Sequence, residues 1–340
     1  KELIMKTIYI NNRAIEEGSP TYVIAEIGIN HNGDVELARE TIDAAFENGA
    51  DAVKLQTYTT EGFVHPDNLI FKDVKSCELS YGEYCRLFEY VQDGNKTIFS
   101  TPESFKDINL LKELDPPAVK IASMDLNYKA FIQKIAELGK PVLLSTGMSY
   151  MHEVAKAVHW IEEVGNTQIV LLHCVSCYPT PPGECNLSAI RTLTSLFNYP
   201  IGFSDHTIGL EIPFAAACIG ARIIEKHFTV DKKLKGPDHA GSADPSDLLQ
   251  LTRQLHTLNN AMGDGIKKPS ASEKTTVLKK RRSIFAKDDL SKGKILEISD
   301  LHFLTPSVPE SQLEDLDSFL GRTLKCDLRV NSLISSKVLL

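Results

Sequence analysis

The stretch IGFSDHTIGLEIPFAAACIGARIIEKH, residues 201–227, decides the fold. It holds two apolar runs, 201–204 and 221–227, on either side of a segment at 212–220 whose apolar residues favour a helix. The runs are nearly continuous in apolar residues, as expected of strands that are buried on both faces. The stretch therefore predicts a strand–helix–strand unit of a parallel sheet.

The same alternation extends back to the start of the chain. Strand candidates precede this unit at 22–29, 52–56, 97–100, 118–122, 142–145 and 169–174. Helix candidates lie at 35–48, 81–93, 105–114, 129–138, 151–164, 187–196 and 245–262. Eight strands alternating with eight helices predict an α/β fold, a closed (β/α)8 TIM barrel over residues 1–265. A doubly wound open sheet is the alternative.

The pattern changes after residue 262. Residues 266–282 are polar, basic and mostly without periodicity, which predicts a linker. The remaining residues, 283–340, have short apolar runs and frequent turn residues. They predict a small, β-rich second domain.

Composition limits the function classes. The 340 residues carry a net charge of −8, which argues against a nucleic-acid partner. No apolar stretch reaches the roughly 20 residues that a membrane helix needs, and the first residues lack the long apolar run of a signal peptide. Seven cysteines, an odd number, favour free thiols in a reducing compartment. We therefore expect a cytoplasmic protein.

Polar side chains cluster where the predicted strands end, which is the active-site face of a TIM barrel. Lys54 and Lys120 lie on strands, and an isolated lysine there could equally be an ion-paired core residue. Hydroxyl groups occupy the ends of neighbouring strands, at Thr101, Ser123, Ser145, Ser176 and Ser204. Ammonium and hydroxyl groups together suit a phosphate and a carboxylate, so the set predicts an anion site.

Two histidines follow adjacent strands. His206 comes directly after one strand of the opening unit and His227 ends the other, so their imidazoles can converge. Neutral imidazole is a ligand for Mn²⁺ or Zn²⁺, and Glu225 or Asp238 could add oxygen ligands or orient a ring. The pattern predicts an open divalent metal site. Two hydrogen-bonded histidines without a metal are the alternative.

Two carboxylates are acid/base candidates. Glu26 has apolar neighbours, so desolvation should raise its pKa. Asp125 follows the fourth strand. Either could orient a hydroxyl group or move a proton. Pairing with Lys54 or Lys120 is a second explanation, and it is compatible with the first.

At these residues the sequence resembles the sialic acid (N-acetylneuraminate) synthases and their relatives that make legionaminic and pseudaminic acids. The matching stretches are AEIGINHNGD (25–34), GADAVKLQTY (49–58), STPES (100–104), VKIASMDLN (119–127), LLSTGM (143–148), LLHCVSCYPTP (171–181), GFSDHTIG (202–209), GARIIEKHFTVDK (220–232) and GPDH (236–239). RRSIFAKDDLSKGKIL (281–296) is similar to the start of that family's antifreeze-like (SAF) domain.

The resemblance implies a condensation of phosphoenolpyruvate with N-acetylmannosamine or a related amino-sugar aldehyde, with water addition, phosphate release and a divalent metal, Mn²⁺ first among candidates. It implies that the metal ligands are His206 and His227. It also implies catalytic roles for Glu26, Asp125, Lys54 and Lys120, although many bacterial relatives have Glu at position 125. The phosphoenolpyruvate positions are Lys54, Thr101, Lys120, Ser123, Ser145, Ser176 and Ser204, and the sugar-side positions are Glu26, Gln56, Tyr178 and Asp238.

One stretch departs from the family. Relatives usually carry a Lys-Arg-Pro-Gly-like segment in the SAF domain, whose Arg reaches the sugar of the neighbouring subunit, whereas residues 303–306 here are FLTP. The family pattern implies a domain-swapped homodimer, and the missing Arg leaves the sugar open. A 2,4-diacetamido-2,4,6-trideoxyhexose, the precursor of legionaminic or pseudaminic acid, is the alternative acceptor.

Two other functions compete with this interpretation. A class I aldolase would use Lys120 or Lys54 as a Schiff-base amine and would need no metal. An ice- or sugar-binding module is suggested only by the small C-terminal domain, and it leaves the charged strand ends unexplained.

Overall fold

The computed structural model describes residues 4–306 and 316–340, except for the side chain of residue 278. Contacts divide the chain into two compact units, Lys1–Gly263 and Asp264–Leu340. The domain limits at 265 and 282 stay predictions.

A short hairpin precedes the barrel, and its two strands pair antiparallel. They are β1 (Ile8–Ile10) and β2 (Arg13–Ile15). Eight parallel strands then close on themselves, because the last one pairs with the first. They are β3 (Tyr22–Gly28), β4 (Ala52–Thr57), β5 (Ile98–Pro102), β6 (Val119–Ile121), β7 (Val142–Ser145), β8 (Ile169–Cys174), β9 (Ile201–Asp205) and β10 (Ile223–His227). The TIM-barrel prediction is confirmed, and the open sheet is wrong.

Helices connect the strands. They are α1 (Val35–Glu47), α2 (Thr60–Phe63), α3 (Phe71–Ser76), α4 (Tyr81–Asp93), α5 (Phe105–Leu114), α6 (Lys129–Ala136), α7 (Met151–Glu163), α8 (Ser188–Leu196), α9 (Glu211–Cys218) and α10 (Pro245–Met262). Several begin at side chains that accept backbone N–H groups, such as Ser80 before α4 and Asp244 before α10. In the described residues no helix is long and apolar enough to cross a bilayer.

Two cores follow from the alternation of side chains along each strand. In β4, Val53 and Leu55 belong to the outer core between barrel and helices, whereas Ala52 belongs to an inner core. The hairpin contributes Ile8, Ile10 and Ile15 to that inner core, alongside residues near the starts of the barrel strands. The interior is therefore apolar at its N-terminal end, and polar side chains follow nearer the C-terminal end.

The second unit has its own small core. It contains α11 (Lys274–Lys280), β11 (Ser283–Ala286) and β12 (Leu301–Leu304), and β11 pairs antiparallel with β12. Residues such as Ile284, Leu324 and Leu339 are buried together. Helix α11 lies within the segment that the sequence predicts to be a linker.

Candidate active site

A cavity of about 360 Å³ opens among the C-terminal strand ends of the barrel. Twelve of the fourteen predicted site residues line it: Glu26, Lys54, Gln56, Thr101, Lys120, Ser123, Ser145, Ser176, Tyr178, Ser204, His206 and His227. The strand period of two brings them together. Ile24, Ala52, Phe99, Ala118 and Leu143 of the inner core each precede an inward polar residue by two positions.

Lys54 is paired inside the cavity. Its Nζ lies 2.5 Å from Glu26 Oε2 and donates a hydrogen bond of 3.0 Å to Thr101 Oγ1. Burial alone would lower the pKa of Lys54, but the charges of Glu26 and Glu225 outweigh it and raise that pKa. Burial raises the pKa of Glu26 to about 7, although Lys54 opposes the shift. Glu26 therefore changes protonation state near neutral pH.

Lys120 belongs to a second buried pair. Its Nζ donates to Glu225 Oε1 over 2.7 Å, and Ser204 Oγ donates to the same oxygen over 2.9 Å. Burial would raise the pKa of Glu225, but Lys120 and Lys54 lower it to about 2. Glu225 therefore remains ionised when Glu26 is half protonated, so the two pairs are chemically unlike.

Hydroxyl groups surround a glycine after β7. Gly147 N–H donates to Ser123 Oγ over 3.0 Å, and a side chain at this position would collide with Ser123 and Ser176. Ser145 Oγ is buried and has no hydrogen-bond partner in the described chain. Serine hydroxyls without a competing side chain, close to two ammonium groups, form a cradle suited to an anion.

The two histidines meet across the ends of β9 and β10. Their ring centroids are 5.5 Å apart, and the Tyr178 ring lies 4.1 Å from that of His206. His206 Nδ1 is 2.7 Å from the carbonyl oxygen of Val175, so that nitrogen carries the proton and Nε2 keeps its lone pair. Burial lowers both imidazole pKa values to about 4. Both rings are therefore neutral at pH 7, which is the form that binds metals.

The donor set fits a divalent ion held by two imidazoles. His227 Nδ1 is buried without a hydrogen-bond partner, and Asp238 Oδ2 lies 3.7 Å from it. Over residues 4–306 and 316–340, no group of three or more His, Cys, Asp or Glu side chains could enclose an ion. Water or substrate oxygens would have to fill the remaining positions, as in an open catalytic site.

Asp125 and Asp238 are the two predicted residues outside the cavity lining. Asp125 ends a 3₁₀ turn (Ser123–Asp125) directly after β6, and burial raises its pKa to about 6. Asp238 precedes another 3₁₀ turn (His239–Gly241), beside His227. Both are therefore neighbours of cavity residues.

The sequence did not single out several lining residues, among them Phe63, Glu103 and Met148. Glu103 directly follows β5, and its Oε2 is buried without a hydrogen-bond partner. Burial and the charge of Asp125 raise the pKa of Glu103 well above its usual range. Its position just beyond a strand end was a signal that could have found it.

Buried polar atoms without a hydrogen-bond partner concentrate around this cavity. Twelve side-chain nitrogen or oxygen atoms of the described residues are buried without a hydrogen-bond partner, and six of them belong to this region. The six residues are Glu26, Glu103, Asp125, Ser145, Glu225 and His227, of which Glu26 Oε2 is ion-paired to Lys54 and His227 Nδ1 lies 3.7 Å from Asp238 Oδ2. Such atoms are rare in folded proteins because each is costly to desolvate, so the cavity is built to receive a polar ligand.

Known proteins match this chain over most of its length. Residues 41–267 match the profile of the NeuB family, and residues 281–337 match the SAF domain. The N,N'-diacetyllegionaminic acid synthase of Campylobacter jejuni is 36% identical, covering 92% of this chain and 98% of that protein. The pseudaminic acid synthase of the same organism is 35% identical, covering 84% and 87%.

A solved structure has the same fold. It is the N-acetylneuraminic acid (sialic acid) synthetase of Leptospira borgpetersenii in complex with citrate. It superposes with a TM-score of 0.77 at 37% sequence identity, covering 82% of this chain and 97% of that one.

Proposed function

Because the chain belongs to the NeuB family and ends in a SAF domain, we propose that it is a nonulosonic acid synthase. It condenses phosphoenolpyruvate with an open-chain amino-sugar aldehyde, adds water and releases phosphate. One observation carries this proposal: a hydroxyl-lined anion cradle with two buried lysines shares one cavity with two neutral imidazoles. Such a cavity suits an anionic nucleophile and a carbonyl electrophile together.

The anion cradle, together with Lys54 and Lys120, suits phosphoenolpyruvate. The phosphate and carboxylate accept from Ser123, Ser145, Ser176 and the ammonium groups of Lys54 and Lys120. These contacts place the enol carbon C3 toward the other half of the cavity and exclude stray water. Lys54 and Lys120 also offset the negative charge of the phosphate as it departs.

The bonds change in a defined order. C3 of phosphoenolpyruvate attacks the aldehyde carbon, and the aldehyde oxygen takes a proton to become a hydroxyl. Water adds at the cationic C2 and loses one proton, which leaves a hydroxyl group there. Phosphate then leaves by C–O cleavage as this hydroxyl loses its proton and becomes the keto oxygen of the product. Glu26, whose pKa is about 7, can hold or release a proton at its carboxylate beside Lys54.

His206 and His227 would hold a divalent ion, for which Mn²⁺ is the first candidate. A bound ion supplies Lewis-acid polarisation of the aldehyde carbonyl. The two rings contribute neutral nitrogen donors and Tyr178 packs against both of them. Asp238 Oδ2 lies 3.7 Å from His227 Nδ1, near enough for a small shift to bring it into hydrogen-bond contact and orient that ring.

The Schiff-base alternative fits poorly. A nucleophilic lysine needs a depressed pKa, but the pKa of Lys54 is raised and Lys120 is ion-paired to Glu225. Borohydride with pyruvate should therefore not trap an adduct.

The named relatives make legionaminic and pseudaminic acids, so the acceptor panel must include both classes. The test is product mass spectrometry with phosphoenolpyruvate, Mn²⁺ and each of N-acetylmannosamine and the 2,4-diacetamido-2,4,6-trideoxyhexoses. A product of combined carbon number with equimolar phosphate is expected. Absence of phosphate release with every acceptor would refute the proposed function.

A further inference from the structure

The cavity divides into two arcs along the barrel order β10-β3-β4-β5-β6-β7-β8-β9. The hydroxyl groups of the anion cradle follow β6, β7 and β8 around Gly147, and the ammonium groups of Lys54 on β4 and Lys120 on β6 complete it, so the two arcs share β4. The other arc begins at His227 on β10 and continues through Glu26 on β3 and Gln56 on β4. It ends with Glu103 after β5, which stands opposite β9 and His206 in the closed order.

Glu103 Oε2 has no hydrogen-bond partner among the described residues, whereas two of its charged neighbours, Lys54 and Asp107, each have hydrogen-bond partners. Lys54 is paired to Glu26 and also donates to Thr101. Asp107 accepts hydrogen bonds from Tyr81 and Ser104. A third charged neighbour, Asp125, resembles Glu103, because its Oδ2 is also buried without a hydrogen-bond partner.

We propose that Glu103, with Asp125 as its charged neighbour, is a specificity-determining residue that binds an N–H or O–H donor on the distal half of the acceptor sugar. This inference rests on the proposed function. The aldehyde end of the acceptor lies at the imidazoles, so the opposite end of the arc faces carbons 4 to 6. A ligand donor there gives the Glu103 carboxyl group a hydrogen-bond partner that the described residues do not supply.

The apolar side of the cavity supports a role for Glu103 in selecting the acceptor sugar. Phe63 lines the same cavity, so the donor must be placed against an apolar surface. An acceptor without a donor at this point would leave Glu103 desolvated and unpaired, and sites of this kind reject such analogues strongly. Acceptors of both relevant classes, hexosamines and diacetamido-trideoxyhexoses, carry a donor at carbon 4.

The test pairs a change in the protein with a change in the sugar. Wild type, Glu103→Leu and Glu103→Gln are compared on N-acetylmannosamine, its 4-deoxy and 6-deoxy analogues, and 2-deoxyglucose. In wild type, loss of the distal donor should lower kcat/KM by about 10- to 100-fold. In Glu103→Leu the same deletion should have little further effect, and the KM for phosphoenolpyruvate should stay at its wild-type value.

Glu61→Gln is the matched control, because Glu61 lies on α2 near Phe63 but is exposed and paired to Lys75. It should keep wild-type acceptor preference. Equal losses for every deoxy analogue in wild type and Glu103→Leu would overturn the inference while leaving the synthase activity standing. If Glu103→Leu does not fold, the isosteric Glu103→Gln decides by the same comparison. No turnover by wild type with any acceptor would overturn both proposals.

Discussion

We expect Lys120 to have two separable roles, stabilising the fold through its ion pair with Glu225 and binding the anion, and Lys120→Met should reveal both. Its ammonium group and the Glu225 carboxylate are each about 5% exposed and lie 2.7 Å apart. Removing the lysine leaves a buried carboxylate with only Ser204 as a described donor. Breaking a buried ion pair in this way costs about 3–5 kcal/mol of the free energy of unfolding.

The double variant Lys120→Met/Glu225→Gln removes both charges. Because a neutral pair no longer carries the desolvation cost of an unpaired charge, its free energy of unfolding should return to within about 1–2 kcal/mol of wild type. Its affinity for phosphoenolpyruvate should not return. The lost contact to an anion is worth about 1.5–3 kcal/mol, or roughly 10- to 150-fold in Kd.

Urea unfolding followed by tryptophan fluorescence measures the first quantity. The chain has one tryptophan, Trp160 on α7, so the signal reports the barrel alone. Calorimetric titration measures the second. Lys226→Met is the matched control, because Lys226 is equally buried and paired to Asp205 but does not line the cavity. Equal losses of phosphoenolpyruvate affinity in Lys120→Met and Lys226→Met would refute the assignment of Lys120 to the anion site.

Three further predictions address other parts of the chain. Chelation should abolish turnover, and added Mn²⁺ should restore it. The variants His206→Ala and His227→Ala should lose both this restoration by Mn²⁺ and the Mn²⁺-induced rise in Tm. Full activity after exhaustive chelation would contradict the prediction. Glu26, with its pKa raised from 4.5 to about 7, contributes stability that is present below pH 4.5 and lost as pH rises through 7. The free energy of unfolding of wild type relative to Glu26→Gln should therefore fall by about 3 kcal/mol over that window. A pH-independent difference contradicts it. If the SAF domain caps the partner barrel, truncation after Lys280 should keep phosphoenolpyruvate binding and lose most condensation activity. Mixing the truncated chain with full-length Lys120→Ala should then recover activity. No recovery would mean that the cap acts within its own subunit.

The barrel could be predicted from sequence because its strands are buried on both faces. Apolar runs such as 142–145 and 169–174 coincide with β7 and β8, and α4, α5 and α10 also begin and end as expected. The hairpin β1–β2 was missed, since three-residue strands carry too little periodicity. Helix α11 was missed because its sequence is polar, and polar sequence predicts a loop.

The site could be predicted only in part. Strand ends identify which side chains reach the C-terminal face, and twelve of the predicted residues line one cavity there. Pairings were beyond the sequence, because Lys120 and Glu225 lie 105 positions apart and meet only when the barrel closes. Glu103 was missed because a glutamate beyond a strand is usually solvated, and only the structure shows its Oε2 to be buried.

The two lysines therefore differ in how they can receive an anion. Each is already ion-paired in the cavity, so under the proposed function phosphoenolpyruvate would compete with Glu26 for Lys54 and with Glu225 for Lys120. Glu26 can release Lys54 by taking a proton near pH 7, since its pKa is about 7, whereas Glu225, with a pKa of about 2, cannot. In the proposed reaction, exchange at Lys54 would thus be coupled to proton uptake by Glu26, and the protonated carboxyl group could then supply the proton that the aldehyde oxygen needs.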